Sequence, residues 1–384
     1  MQATNLNLIL LALFAFVAPH VACADHFEIK TNLPLHWNTS TSDWSKQDQE
    51  GLARKVQMTL DSFEIFCKRM SWPCDSFDDL KIDLTDRDIK NEDGSSLAGK
   101  FSPASGTVEV SIRSEDLEQT LFHELTHWAH FNHLGKPDWF VAPPAALEWV
   151  LEAVPFLAML KNKIIDDTLT GAEKLFLARD LSGSLLNARG SSAWYGLIGL
   201  WCRYLDFHVV QSDLILSRLS DMTPETLIRE GSNQFSSLGL EFLKFRGNTQ
   251  DELPKINKKF QNLFEYFILA LNQNSTGMNL WNLFQLGGDV SHARIQAESS
   301  RWVSANTDAI FSVGALDFFY LLPQTLPKGA HLEISNGLRV IFWRGATQPD
   351  VDLVQAGMPS EFNGWDRIMV YNPTRSELKL KVVP

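Results

Sequence analysis

Four histidines and a glutamate lie close together in LFHELTHWAHFNHLG, residues 121–135. His123 and His127 are four residues apart, so on an α-helix both imidazoles project from one face and can bind one metal ion. Glu124 follows the first of them and can reach a water on the metal without binding the metal itself. In this H-E-x-x-H arrangement, zinc lowers the pKa of a bound water and the glutamate takes its proton. The segment therefore predicts one Zn²⁺ site on a helix, with His123 and His127 as ligands and Glu124 as general base.

A catalytic zinc site needs a third protein ligand, and the sequence offers two routes to it. One route uses His133, which extends the motif to H-E-x-x-H-x-x-H-x-x-H and resembles the metzincin pattern. The central position of that pattern is glycine, because the chain must turn out of the helix there. Here the position is His130. If the helix continues to Gly135, His133 points about 120° away from the metal face.

The other route uses PPAALEWVLEAVPFLAML, residues 143–160. An H-E-x-x-H followed downstream by tryptophan, an apolar residue, any residue, glutamate and a small residue resembles the gluzincin pattern of thermolysin-like and aminopeptidase-like enzymes. The segment 149–153 fits this pattern, and the resemblance implies that Glu152 completes a His-His-Glu zinc site with an open fourth position. Glu148, one turn earlier, competes with it as a ligand or as a partner of a ligand histidine. Pro155 departs from the pattern and predicts a kink.

The segment SSAWYGLIGLWCRYLDFH, residues 191–208, resembles the helix that follows the glutamate in these enzymes. The resemblance places Tyr195 where the aminopeptidase-like members have a tyrosine that stabilises the oxyanion, since a phenol can donate to developing negative charge. The alternative is that Tyr195 is only a packing residue of an amphipathic helix. The resemblance as a whole implies a zinc metallopeptidase that acts on a peptide or protein substrate.

The elements that must position these residues alternate between strands and helices. The helix carrying H-E-x-x-H is predicted to begin at Ser114 as N-cap and to end at Gly135. In the gluzincin catalytic domain the strand before this helix is a sheet edge that pairs with substrate, and the resemblance gives that role to GTVEVSI, residues 106–112. Hydrophobic periodicity predicts the other elements upstream: strands in 26–33 and 79–86, a helix over 45–70, and two strands around a turn in 99–112.

The predicted fold class is α+β. A zincin-like catalytic domain, consisting of a small mixed sheet and a helical subdomain, precedes a small C-terminal all-β, sandwich-like domain. The Ser335-Asn336-Gly337 step in the latter predicts a hairpin. The predicted boundaries are 1–24 for a signal peptide, 25–245 for the catalytic domain (α/β part 25–135, helical part 136–245), 246–304 for a helical or linker region and 305–384 for the β domain.

The N-terminus predicts export. An apolar stretch over 8–17 precedes Ala22-Cys23-Ala24, which is typical of a cleaved signal peptide and of a secreted or periplasmic protein. In such a protein Cys67 and Cys74, which flank a short loop, are expected to form a disulfide, whereas Cys202 in an apolar stretch is expected to be a buried thiol.

The charge pattern excludes two kinds of partner. The chain has 34 lysines and arginines against 46 aspartates and glutamates, without a block of like charge, so neither nucleic acid nor a membrane surface is expected to bind it. A competing hypothesis is a metallopeptidase-like protein without turnover that binds a ligand through its aromatic-rich C-terminal β region. The intact H-E-x-x-H favours the enzyme, because a protein without turnover does not need the glutamate.

Overall fold

The computed structural model of the chain contains both helices and small sheets, which confirms the α+β class. The described residues are 35–38, 46–74, 80–90, 96–114, 116–165, 170–173, 176, 183–184, 192–208, 212–229, 267, 300–301, 308–314, 317–322, 325–344, 350–354, 367–372 and 377–383. The predicted signal peptide and the strand predicted in 26–33 lie outside these residues. So does most of the region 246–304.

The elements follow one another in a mixed order. The helices are α1 (Lys46–Met70), α2 (Leu117–His133), α3 (Ala145–Lys161), α4 (Ser192–His208), α5 (Ser212–Ser220) and α6 (Pro224–Arg229). The strands are β1 (Leu35–Asn38), β2 (Lys81–Thr85), β3 (Ile89–Lys90), β4 (Ser96–Leu97), β5 (Gly99–Ser102), β6 (Thr107–Ser111), β7 (Gly183–Ser184), β8 (Ser300–Arg301), β9 (Ala309–Val313), β10 (Asp317–Leu321), β11 (His331–Ile334), β12 (Arg339–Arg344), β13 (Asp350–Val354), β14 (Arg367–Tyr371) and β15 (Leu378–Val383). None of the helices in the described residues is long and apolar enough to cross a membrane.

The described part of the chain forms two compact units, and α3 contributes to both. The first unit contains the described residues up to Pro144, together with Val154–Ile165 and Leu219–Asp221. The second contains Ala145–Ala153 and the remaining described residues.

A four-stranded sheet in the order β1-β2-β6-β5 organises the first unit. The first three strands are parallel and β5 runs antiparallel to β6. Alternate side chains of β2 and β6 point into the core and are fully buried, namely Ile82, Leu84, Val108 and Val110. Strand β6 is therefore paired on both sides, and the expectation that GTVEVSI forms the sheet edge is wrong. The edge strand beside α2 is β5, because the chain turns back after Ser102 before it enters β6.

Helix α2 packs on this sheet and on α1 through an apolar face. Leu121, Phe122 and Leu125 recur at helical spacing and are fully buried. The ring of Phe122 lies 5.7 Å from the rings of both Phe63 and Phe66 of α1. These contacts fix the N-terminal half of the helix against two neighbouring elements.

The ends of α2 match the prediction at one terminus only. The expected N-cap at Ser114 is wrong, since the helix begins at Leu117 with Asp116 as N-cap. The Ser114 hydroxyl instead lies 3.3 Å from the hydroxyl of Thr120. The helix ends before Gly135, as predicted, because glycine tolerates the positive φ of 77° found there. The N–H groups of Gly135 and Lys136 satisfy the last carbonyls, which is a Schellman motif.

The predicted disulfide between Cys67 and Cys74 is confirmed, with 5.9 Å between the two Cα atoms. It closes the short loop that leaves α1, and this loop carries the buried Trp72. The indole of Trp72 stacks on the rings of His130 and His133, with centroids 5.8 and 5.3 Å away. The disulfide loop thus packs against the C-terminal half of α2.

In the second unit, α4 is held by a buried ion pair. Arg203 Nε lies 2.7 Å from Glu173 Oε1, and both side chains are almost completely buried. The other oxygen of Glu173 accepts from the Thr170 N–H, while the Thr170 hydroxyl accepts from the Glu173 N–H, which is a capping box. Cys202 is a buried free thiol, as predicted, and burial raises its pKa well above the usual range.

The strands after residue 308 lie in two sheets, one of which also includes the short strands β7 and β8. One has the order β13-β12-β14-β10-β7, and the other is β11-β15-β9. Both contribute to one apolar cluster that includes Phe319, Val340, Val370, Leu380 and Val382. The hairpin expected at Ser335-Asn336-Gly337 is wrong: the Leu338 N–H does close a turn on the Ser335 carbonyl, but β11 pairs with β15 and β12 with β13 and β14. Only Gly337 has a positive φ, whereas a tight two-residue type I′ hairpin needs two such residues.

Removal of the disulfide should destabilise the protein. Its seven-residue separation restricts the unfolded chain, and loop-closure entropy of that size is worth about 2 kcal/mol. We expect the C67A/C74A variant to unfold at a lower urea concentration, because its free energy of unfolding should be lower by that amount. A reductant should lower the wild-type midpoint to the variant's value and leave the variant unchanged. An equal midpoint in oxidised wild type and variant would contradict the expectation.

Candidate metal centre

The structure brings His123, His127 and Glu152 together. One ligand atom from each of the three lies within 4.8 Å of the other two. The two Nε2 atoms of His123 and His127 are 3.0 Å apart, and their rings meet edge to face at 77°. The three residues predicted as zinc ligands therefore form one group of donors, supplied by α2 and α3.

Helix geometry explains how α2 presents the two imidazoles. His123 and His127 are one turn apart, and both lie on the opposite side of the helix from Leu121, Phe122 and Leu125. His123 is partly exposed and His127 is almost buried, so the pair lies at the border between the core and the solvent. Such a border keeps the ligands in place by packing on one side and leaves the other side accessible.

Helix α3, which is mostly buried, carries Glu152. Trp149, Ala153 and Val154 are fully buried around it, whereas Glu152 is half-buried. The helix continues through Pro155, although a proline has no N–H to donate to the carbonyl of Leu151. The apolar residues fix the helix, and of its two acidic side chains Glu152 is the one grouped with the histidine pair.

The donor set fits zinc. Two imidazole nitrogens and one carboxylate oxygen are the donors of many catalytic zinc sites, in which a fourth position remains open. In a tetrahedral site with Zn–N bonds of about 2.0–2.1 Å, two nitrogen ligands lie about 3.3 Å apart. The 3.0 Å between the two Nε2 atoms is close to this value. The same donors also suit other late first-row divalent ions, so the donor set alone leaves the metal's identity open.

Glu124 follows His123 in α2, and its side chain lies against strand β5. Its side chain is only 8% exposed. A Cβ atom built on Gly99 would lie 2.9 Å from Glu124 Cγ and 3.2 Å from Glu124 Oε1, so the carboxylate is next to the bare strand backbone. The sequence identified Glu124 but gave no role to Gly99. A glycine inside a predicted strand was the signal available, because it often marks a close approach of another group to the backbone.

Glu148, the alternative ligand, lies one turn before Glu152 and is half-buried. Burial is the first cause that raises its pKa, and the nearby charge of Glu152 is the second. The three-donor group contains Glu152 rather than Glu148.

His130 and His133 make different contacts from the ligand pair. His133 is the last residue of α2, and its Nε2 lies 2.7 Å from Asp221 Oδ1. His130 is fully buried, and its Nε2–H donates to the Ser220 carbonyl oxygen at 2.9 Å. Both rings stack on Trp72. The helix does not turn out at His130, as the metzincin-like route through His133 would require.

Tyr195 lies in the first turn of α4. Its side chain is 38% exposed, and its ring packs edge-on against Trp194 at 5.2 Å. The exposed phenol is accessible to a ligand. Its role as an oxyanion donor remains a prediction.

Comparison with known proteins adds no relative. No protein-family model matches the chain, and no curated protein gives a match. The likeness to gluzincins therefore rests on the motifs and on the grouping of His123, His127 and Glu152.

Loss of one donor should weaken metal binding. We expect His127→Ala and Glu152→Ala to lower zinc affinity by more than the roughly 10–100-fold that loss of an outer partner costs. Isothermal titration of the metal-free proteins measures this. His133→Ala and Glu148→Ala are the matched controls on the same two helices, and each should retain zinc within about 10-fold. Strong loss in the His133 variant with full binding in the Glu152 variant would contradict the assignment.

The buried His130 should make stability depend on pH. Burial lowers its pKa from 6.5 to about 3, so the unfolded chain takes up this proton first as the pH falls. The stability that the neutral, buried His130 contributes is complete above pH 6.5. It is lost as the pH falls towards 3, at about 1.4 kcal/mol per pH unit. In urea unfolding of the metal-free proteins, the free energy of unfolding should therefore fall more steeply with decreasing pH for wild type than for His130→Gln, whose side chain does not titrate. Parallel curves for the two proteins would contradict this.

Proposed function

We propose that the chain is an exported, zinc-dependent metallopeptidase of the gluzincin type. Zinc is held by His123, His127 and Glu152, and Glu124 is the general base. The observation that carries this proposal is the convergence of the two motif histidines with a glutamate from a separate helix, since this donor set leaves one coordination position open for chemistry. The substrate is a peptide or protein.

Each residue has a distinct task in the proposed reaction. The bound zinc ion supplies Lewis acidity, which lowers the pKa of water and polarises the scissile carbonyl. Glu124 accepts the proton of the attacking water and delivers it to the departing amine nitrogen. Its low exposure shields the side chain from bulk solvent. Tyr195 donates a hydrogen bond to the developing oxyanion.

The order of elements supports a zincin-like catalytic domain within residues 25–245. A strand, a long helix, a strand and two strand pairs, β3-β4 and β5-β6, precede the helix with H-E-x-x-H, and the helix with the glutamate follows it. The disulfide supports export, because such bonds persist in oxidising compartments. The apolar cluster shared by the strands after residue 308 supports a sandwich-like domain over 305–384.

Substitution of the general base tests the proposal. We expect Glu124→Gln to bind zinc with unchanged stoichiometry and to lose about 100–10,000-fold in kcat, which is the usual contribution of a positioned acid–base group. Hydrolysis of a broad peptide library, with and without a chelator, gives the rates. Glu118→Gln, an exposed change on the same helix, is the control and should keep full activity.

Two outcomes oppose the proposal. Full activity in the Glu124→Gln variant would rule out the mechanism. A zinc-loaded protein that cleaves none of the library would favour the alternative, a metallopeptidase-like protein that binds a ligand through its C-terminal β region.

A further inference from the structure

Strand β5 passes α2 unusually closely at Gly99. A Cβ atom at this position would lie 2.6 Å from Thr120 Cγ2 and 2.9 Å from Glu124 Cγ. Thr120 and Glu124 are one helical turn apart, so both face the strand. Side-chain carbons do not approach this closely without displacement. A side chain at residue 99 could be accommodated only if Thr120 or Glu124 moved.

The backbone conformation at Gly99 does not itself require glycine. The glycines with a positive φ are elsewhere in the described residues, at Gly106, Gly135, Gly329 and Gly337. Close approach is therefore the reason for glycine at position 99.

Neither backbone can move away from this contact at low cost. Gly99 is paired with Val110 in the ladder, and the Ser111 N–H donates to the carbonyl of the preceding Ala98 at 2.8 Å. On the other side, the fully buried Leu121 and Phe122 hold α2 against the sheet and α1. The part of this contact that rotates most freely is the Glu124 side chain.

We infer that Gly99 is a positioning residue for Glu124. The bare backbone of β5 forms a wall that sets where the Glu124 carboxylate lies relative to His123 and His127. A side chain at position 99 turns this carboxylate away from the site, while the two histidines keep their places. The inference deepens the proposed function and rests on Glu124 as the base of that reaction.

The test is Gly99→Ala. We expect a loss of about 10–100-fold in kcat, because a displacement near 1 Å has that effect on a catalytic group, with KM and zinc affinity within a few-fold of wild type. We also expect the acidic limb of the pH profile of kcat/KM to shift, because the base then titrates in a changed environment. General destabilisation without displacement of the base would leave this limb in place.

A second variant separates the two contacts of the added methyl group. In Gly99→Ala with Thr120→Ser, the 2.6 Å contact with Cγ2 is gone, and the serine keeps the hydroxyl that faces Ser114. The double variant should regain thermal stability while kcat stays low. Full recovery of kcat would overturn the inference, since the effect would then lie in the fit of strand and helix. The double variant also serves where the single variant fails to fold.

Two other glycines provide matched controls. Gly51→Ala and Gly171→Ala add a methyl group where nothing lies within 4 Å. Both variants should match wild type in kcat and in the acidic limb of the pH profile. If wild type cleaves peptides and Gly99→Ala keeps its kcat and acidic limb, the inference is wrong while the proposed function stands.

If wild type cleaves nothing, the proposed function fails, and the Co²⁺-loaded proteins decide about Gly99. A pH-dependent change in the Co²⁺ absorption bands that Glu124→Gln abolishes should shift in Gly99→Ala. Identical titrations in wild type and Gly99→Ala would overturn the inference.

Discussion

Helix α2 has to satisfy two environments at once, and the candidate centre depends on how it does so. Leu121, Phe122 and Leu125 require burial, whereas His123 and His127 require access to an ion and a substrate. The helical repeat places the two histidines on the opposite side of the helix from these apolar residues, where His123 is partly exposed. Packing that immobilises the apolar face therefore also fixes the imidazoles. A displacement of the helix by a few tenths of an ångström would disturb both the core packing and the geometry of the ligands.

The surrounding contacts hold the C-terminal half of α2, where a helix would otherwise fray. A disulfide closes the loop that carries Trp72, and this indole stacks on His130 and His133. The His130 ring also donates to the Ser220 carbonyl, so its one neutral donor is satisfied inside the core. Aromatic pairs of this kind contribute about 0.5–1.5 kcal/mol each beyond burial, which is enough to suppress local opening beside the candidate ligands.

Local patterns in the sequence predicted much of this arrangement, and long-range pairing accounts for the errors. The spacing of His123 and His127 follows from helix geometry, and the pairing of the two cysteines from the short loop between them, whereas Glu152 was implied by the resemblance to the gluzincin pattern. The sheet edge did not, because edge position depends on which distant strands pair with β6. The Ser335-Asn336-Gly337 turn was misread for the same reason, since its flanking strands find partners in different sheets. Gly99 had no visible role until the strand and helix were placed side by side.

The four histidines of α2 show that residue type alone does not define a ligand. His123 and His127 face each other and Glu152, whereas His130, three residues further on, is rotated into the core and held neutral by burial. His133 meets the carboxylate of Asp221 at the end of the helix. A metal ion needs imidazole nitrogens close to a further donor, and of these four histidines the first two are grouped with the Glu152 carboxylate. The environment that each position meets therefore turns a run of similar side chains into two candidate ligands, one buried hydrogen-bond donor and one partner of a carboxylate.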